Sequence, residues 1–213
     1  MLIVLEGIDG CGKTTVARRL STYLRNLNFD VVESKEPGFT PLGLAVRKII
    51  MDPDTGTKTL APGVVDLLFL AAHIQNWKTN IEPALLAKKV VISDRWWYSQ
   101  EAYSLEREVP DPVREVYRRT SGQKADLLIL LHGDVKSLVD RARGRFSESH
   151  QETKAWNDYD VLAKVQRNYI LQNRLRDEFM QVCVDGKDQD QVFLEVLKLV
   201  SPKLQQFHAR HEA

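Results

Sequence analysis

The chain opens on four consecutive apolar residues, Leu2-Ile3-Val4-Leu5, with a glycine at Gly7 two residues later. An apolar run this short, bounded by a turn residue, predicts a strand buried on both faces. The period then changes. Val16, Leu20, Leu24 and Leu27 recur with Arg18, Arg19 and Arg25 between them, which predicts an amphipathic helix over 13–27. Val31 and Val32 mark a second strand, and 41–51 and 62–88 read mainly as helices. Lys89 to Ser93 is a third strand, with Val90-Val91-Ile92 unbroken. Residues 111–121 read as helix and Leu127 to Leu131 as a fourth strand. Asp134 is placed to cap a helix running to about Arg143. A long helix is expected from about Asp158 to Glu178, a fifth strand from Val182 to Val184, and a last helix from Gln189 to Leu199. The tail from Pro202 to Ala213 reads as frayed.

Apolar strands alternating with helices imply an α/β fold, a five-stranded parallel sheet flanked by helices. Such sheets bind ligands beyond the carboxyl ends of their strands, so residues just after each strand are the first to search for chemistry. No repeat or shift in composition divides the chain, so 1–213 reads as one domain. The polar stretch at about 144–157, where the hydrophobic period breaks, reads as a mobile segment.

Composition narrows the field. Of 213 residues, 43% are apolar and 28% charged, ordinary values for a soluble globular chain. Thirty basic and 29 acidic side chains leave a formal charge of +1, without the basic excess of a nucleic-acid-coating protein. The two cysteines, Cys11 and Cys183, lack metal-ligand spacing, and a reducing, cytoplasmic setting fits them. The apolar start is too short for a signal peptide, and no run approaches the roughly 20 residues of a membrane span.

The strongest motif follows the first strand. Gly7-Ile8-Asp9-Gly10-Cys11-Gly12-Lys13-Thr14 fits G-x-x-x-x-G-K-[ST], a loop whose backbone N–H groups cradle phosphates at the start of a helix. Lys13 is expected to reach the β- and γ-phosphates, and Thr14, followed by Thr15, to ligate Mg²⁺ through its hydroxyl. Cys11 reads as a small side chain filling a tight turn. Asp94 ends the third strand, where a P-loop enzyme places its metal-linked carboxylate, and Arg95 beside it suits a phosphate or a migrating phosphoryl group.

Taken with Leu5-Glu6-Gly7-Ile8-Asp9, Lys35-Glu36-Pro37-Gly38, Leu68-Phe69-Leu70-Ala71-Ala72, Ser93-Asp94-Arg95 and Ser99-Gln100-Glu101-Ala102-Tyr103, the loop resembles the thymidylate kinase family over essentially the whole chain. The resemblance implies transfer of the γ-phosphoryl group of ATP to a deoxynucleoside monophosphate, most simply dTMP, in nucleotide biosynthesis. It implies a homodimer built through helices. It places Asp9, Lys35, Glu36, Pro37, Phe69, Arg95, Gln100 and Tyr103 around the acceptor, with Phe69 stacking on the base and Asp9 near the sugar. Ser99 and Tyr103 match positions near base and sugar, and read equally as ordinary helix residues.

The chain also departs from that family's pattern. His73 stands where the family carries a base-reading arginine, and Lys35 stands for an arginine; lysine keeps the charge without the bidentate fork. A monophosphate kinase for another base is therefore the alternative enzyme reading. A P-loop regulator is the alternative outside enzymes, and the absence of an Asn-Lys-x-Asp guanine element disfavours a GTPase-like one. Gly10 occupies the loop position where some relatives carry a catalytic arginine. The resemblance also implies a lid, which falls at about 144–157, and the missing cation is then expected from it, with Arg145 catalytic and Arg143 stacked on adenine.

Overall fold

A computed structural model describes residues 1–52, 59–107, 109–120, 124–145, 158–173 and 179–210. Among these, β1 (Leu2–Glu6), β2 (Val31–Lys35), β3 (Val90–Asp94), β4 (Leu127–His132) and β5 (Phe179–Cys183) form one parallel sheet in the order β2-β3-β1-β4-β5. The central strand β1 is completely buried, Glu6 included. That explains its unbroken apolar run: a parallel strand inside a doubly covered sheet has no polar face.

The helices are α1 (Lys13–Asn26), α2 (Pro41–Met51), α3 (Pro62–Asn76), α4 (Glu82–Leu86), α5 (Trp97–Glu106), α6 (Asp111–Thr120), α7 (Val135–Arg145), α8 (Tyr159–Asn173) and α9 (Gln189–Ala209). The step from β1 to β2 runs one way across the sheet, and every later step runs the other way. Right-handed crossovers therefore put α1 on one face and the later connecting helices on the opposite face. α9 returns to pack on α1, while α5 packs on α3 and α8.

Register then assembles the carboxyl edge. Leu5 of β1 lies opposite Asp94 of β3, and Asp94 lies opposite Lys35 of β2. Lys35 and Asp94 thus end β2 and β3 at one level, and Glu6 ends β1 one residue further on, where the glycine loop begins.

The element readings hold with three corrections. β5 begins at Phe179 rather than Val182. It is an edge strand that buries Phe179 and Val182 while exposing Met180 and Gln181, a pattern without a continuous apolar run. The helix expected from about Asp158 to Glu178 is described over Tyr159–Asn173, and 174–178 lie outside the described residues. The helix expected over 62–88 is interrupted by a wider helical turn at Trp77–Ile81. The last helix passes through Pro202 to Ala209 instead of fraying. Buried Leu204, the packing of Phe207 on the core, and the His208 ring 5.9 Å from Phe29 hold it there. Tertiary packing outweighs the backbone bond that a proline forfeits.

Candidate active site

The chain leaves β1 through Gly7, Gly10 and Gly12, all at positive φ (137°, 89° and 96°). Space as well as φ demands glycine at the first two: a Cβ would stand 2.2 Å from the Leu131 carbonyl oxygen at Gly7, and 1.8 Å from that of Leu138 at Gly10. No side chain, and so no arginine, fits at Gly10. α1 starts with no side-chain cap and no acid in its first turn, leaving its N-terminal N–H groups available to an anion. Lys13 folds back over the loop. Its Nζ donates to the Ile8 carbonyl at 2.8 Å and lies 3.6 Å from Cys11 Sγ and 3.9 Å from Asp9 Oδ1. Thr15 follows, half-buried on α1.

At the sheet edge, the Thr14 hydroxyl donates to Asp94 Oδ2 at 2.5 Å, and Lys35 Nζ stands 3.4 Å from both atoms. Burial pushes the Asp94 carboxyl up, but Lys13, Lys35, the Thr14 hydrogen bond and Arg95 outweigh it and hold it below the ordinary range. Lys35, read with the acceptor residues, is thus placed against the two expected metal ligands.

Arg95 occupies a left-handed backbone conformation, φ 75°, which is uncommon for a residue with a Cβ and recurs at functional sites. Two bonds hold it there: its N–H donates to the Leu5 carbonyl at 2.9 Å, and its carbonyl accepts from Ser93 Oγ at 2.7 Å. Its guanidinium donates to Asp9 Oδ1 at 2.7 Å, Ser99 Oγ at 3.0 Å and Tyr169 Oη at 3.4 Å, with the Tyr103 ring 5.8 Å away. Burial works against the Asp9 charge. Arg95, Lys13 and Arg47 together overcome it and hold the carboxyl far below its usual range. Burial, partly relieved by Arg95, pushes the Tyr103 phenol up to about 12.

Behind Arg95 lies Glu6, which motif reading passed over as a site residue. Its carboxylate accepts from Trp96 N (2.8 Å), Ser99 N (3.1 Å) and Ser99 Oγ (2.5 Å), and Tyr169 Oη lies 3.0 Å away. It therefore caps α5 from the neighbouring strand and fixes the hydroxyls that seat Arg95. Desolvation dominates its titration and raises its pKa, against Arg95 and the hydrogen bonds. A carboxyl raised on folding stabilises the fold below its unfolded-state pKa, and that contribution is lost as pH rises through the folded value. Glu6→Gln keeps one oxygen for the two amides. Its melting temperature is expected to gain on the wild type as pH rises from about 4 to about 8, read by parallel thermal melts; a constant difference would contradict this account. The signal in the sequence was a lone charge closing an apolar strand.

The other residues expected around the acceptor are less uniform in placement. Glu36 Oε1 and Oε2 each lie 2.9 Å from His73 Nδ1, and Asn76 Nδ2 donates to Glu36 at 3.2 Å and Ser34 at 2.9 Å. His73 is only 3% exposed, its ring 4.4 Å from Trp96. Trp96 and Trp97 are both core. Pro37 is half-buried, and Phe69 is half-buried where the two apolar clusters meet. Gln100 is buried with its amide donating to Asp66, a carboxylate also bonded by Ser104 and by Arg107 at 3.1 Å. Arg47, exposed on α2 with its charge acting on Asp9, and Tyr169 were not anticipated; neither belongs to a recognisable motif.

At the end of α7, Arg143 stacks on Tyr159 at 4.5 Å and donates to its hydroxyl at 2.8 Å. Arg145 ends α7, but its side chain, like residues 146–157, lies outside the described residues.

A glycine loop between β1 and α1 of a parallel sheet, with a lysine and a metal-suited hydroxyl–carboxylate pair, defines a P-loop nucleotide-binding protein. The family model described as Thymidylate kinase matches residues 5–192. A probable thymidylate kinase of Thermococcus kodakarensis is 33% identical over 96% of this chain and 98% of its own length. A thymidylate kinase of Ruegeria pomeroyi is 31% identical over 94% of each. Among solved structures, thymidylate kinase from Ehrlichia chaffeensis superposes with a TM-score of 0.74 at 24% identity, over 94% of this chain and 98% of that one, which bears out the fold. The chain belongs to the thymidylate kinase family.

Proposed function

We propose that this protein transfers the γ-phosphoryl group of ATP to dTMP, giving dTDP, as a single kinase domain over 1–213. The observation that carries the reading is the Asp9–Arg95 pair. A carboxylate inside the phosphate loop grips, at 2.7 Å, the cation at the end of β3, so donor loop and acceptor cation are set by one contact. The loop N–H groups and Lys13 hold the donor phosphates. Arg95, with exposed Arg47 nearby, receives the acceptor phosphate, and Asp9 orients the acceptor. Phe69, His73, Gln100, Tyr103 and the Glu36–Pro37 turn wall its pocket. Transfer of this kind is governed by in-line positioning and cations on developing charge. With no side chain fitting at Gly10, the further cation is assigned to Arg145, arriving with a lid over 144–157, and Arg143 to the adenine.

Thr14 and Asp94 would hold Mg²⁺. Hard oxygen donors with a single carboxylate suit an ion that also takes phosphate oxygens, and the ammonium of Lys35 standing against both marks a place that accepts a cation. When bound, the ion neutralises charge on the β- and γ-phosphates. With ATP labelled at the γ-position, label is expected in dTDP only when dTMP is present. Label released solely as inorganic phosphate would overturn the kinase reading.

A homodimer and a cytoplasmic setting complete the proposal. Val64, Leu67 and Ile74 are exposed along α3, an apolar stripe suited to a second copy. Both cysteines are free, and among the described residues no helix is long and apolar enough to cross a membrane. Leu67→Asp is expected to halve the sedimenting mass. A wild type that sediments as a monomer at micromolar concentration would contradict the dimer.

A further inference from the structure

We propose that Lys35 is a built-in counter-cation for the metal corner, sitting against Thr14 and Asp94 until a divalent cation displaces it. The inference rests on the reading of those two residues as metal ligands. Parallel pairing of β2 with β3 sets Lys35 directly beside Asp94, and the ammonium stands 3.4 Å from both Asp94 Oδ2 and Thr14 Oγ1. The two sides of this contact differ in freedom. The Asp94 side chain is 5% exposed and fixed at a strand end, whereas that of Lys35 is 47% exposed on a flexible four-carbon stem. The carboxylate cannot follow a departing partner, and the ammonium can swing into water at little cost. A divalent cation bound to the same two oxygens meets like charge from Lys35 at close range, so both cannot hold the corner together. Lys35 therefore neutralises a buried carboxylate in the metal-free protein and weakens cation binding by competition.

The test titrates the full-length protein with Mn²⁺ in the presence of ADP and follows free Mn²⁺ by electron paramagnetic resonance. Lys35→Met is expected to bind Mn²⁺ about 3–5-fold more tightly than the wild type, the upper range of what a half-exposed ion pair exerts. Lys35→Arg should stay within about twofold, because the charge remains. Lys35→Met should also melt at lower temperature without metal and recover when Mn²⁺ is added. Unchanged or weaker Mn²⁺ binding in Lys35→Met overturns the inference, as does an equal gain in Lys48→Met, an exposed lysine on α2, which would mark a general charge effect. Asp94→Asn separates the two readings. If it binds Mn²⁺ like the wild type, the metal corner itself is wrong. If it loses Mn²⁺ while Lys35→Met matches the wild type, only the Lys35 inference fails.

Discussion

Lys13→Met is expected to lower kcat by about 10²–10³-fold, the typical loss when one preorganised donor is removed from developing transition-state charge. The ammonium is buried, and its described partners, the Ile8 carbonyl, Cys11 and Asp9, all lie in the loop itself. It is therefore stored at the site and free to exchange a neutral carbonyl for phosphate oxygens. Methionine retains the stem, so the loop keeps its packing. With Lys13 assigned to the ATP phosphates in the proposed mechanism, KM for ATP should rise while KM for the acceptor changes little. Steady-state kinetics with each substrate varied in turn would check this. A kcat within about threefold of the wild type would remove Lys13 from the mechanism.

Arg95→Ala should match that loss, also about 10²–10³-fold, but with a different signature. Arg95 joins Asp9, Ser99 and Tyr169, so its removal leaves Asp9 without its nearest cation and empties the seat built by Glu6. Acceptor KM should rise together with the fall in kcat. The melting temperature should fall by about 2–8 °C, corresponding to about 1–2 kcal/mol of lost hydrogen bonding in a chain of this size. Arg95→Lys should restore much of the stability and less of the rate, since a lysine keeps charge without the fork. Equal rates for Arg95→Ala and the wild type would contradict the acceptor role.

Much of this arrangement was legible before any coordinates, and the reasons are local. The strand, loop and helix around residues 2–27 show because apolar run, glycine spacing and helical period change within a few residues of each other. Asp134 could be read as a cap because its partner is near in sequence: Ser137 N donates to it at 2.9 Å. What escaped was non-local or tertiary. Glu6 finds its partners some ninety residues away on α5 and further still on α8, and no spacing encodes that. Lys35 meets Asp94 only because β2 and β3 pair in one register. His73 sits at the motif position of a base reader, yet its ring is committed to Glu36 and Trp96. That commitment comes from how α3 packs, not from sequence order. The helical tail through Pro202 escaped for the same reason, since the groups that hold it lie on other elements.

The central claim is that this loop and its Asp9–Arg95 contact serve a kinase for dTMP, despite a histidine in place of the usual arginine. Coupled detection of ADP release, with each deoxynucleoside and ribonucleoside monophosphate supplied in turn, tests it most directly. The account predicts acceptor-dependent ADP release with the highest kcat/KM for dTMP. A higher value for a monophosphate of another base, or no acceptor-dependent release with any of them, would contradict it.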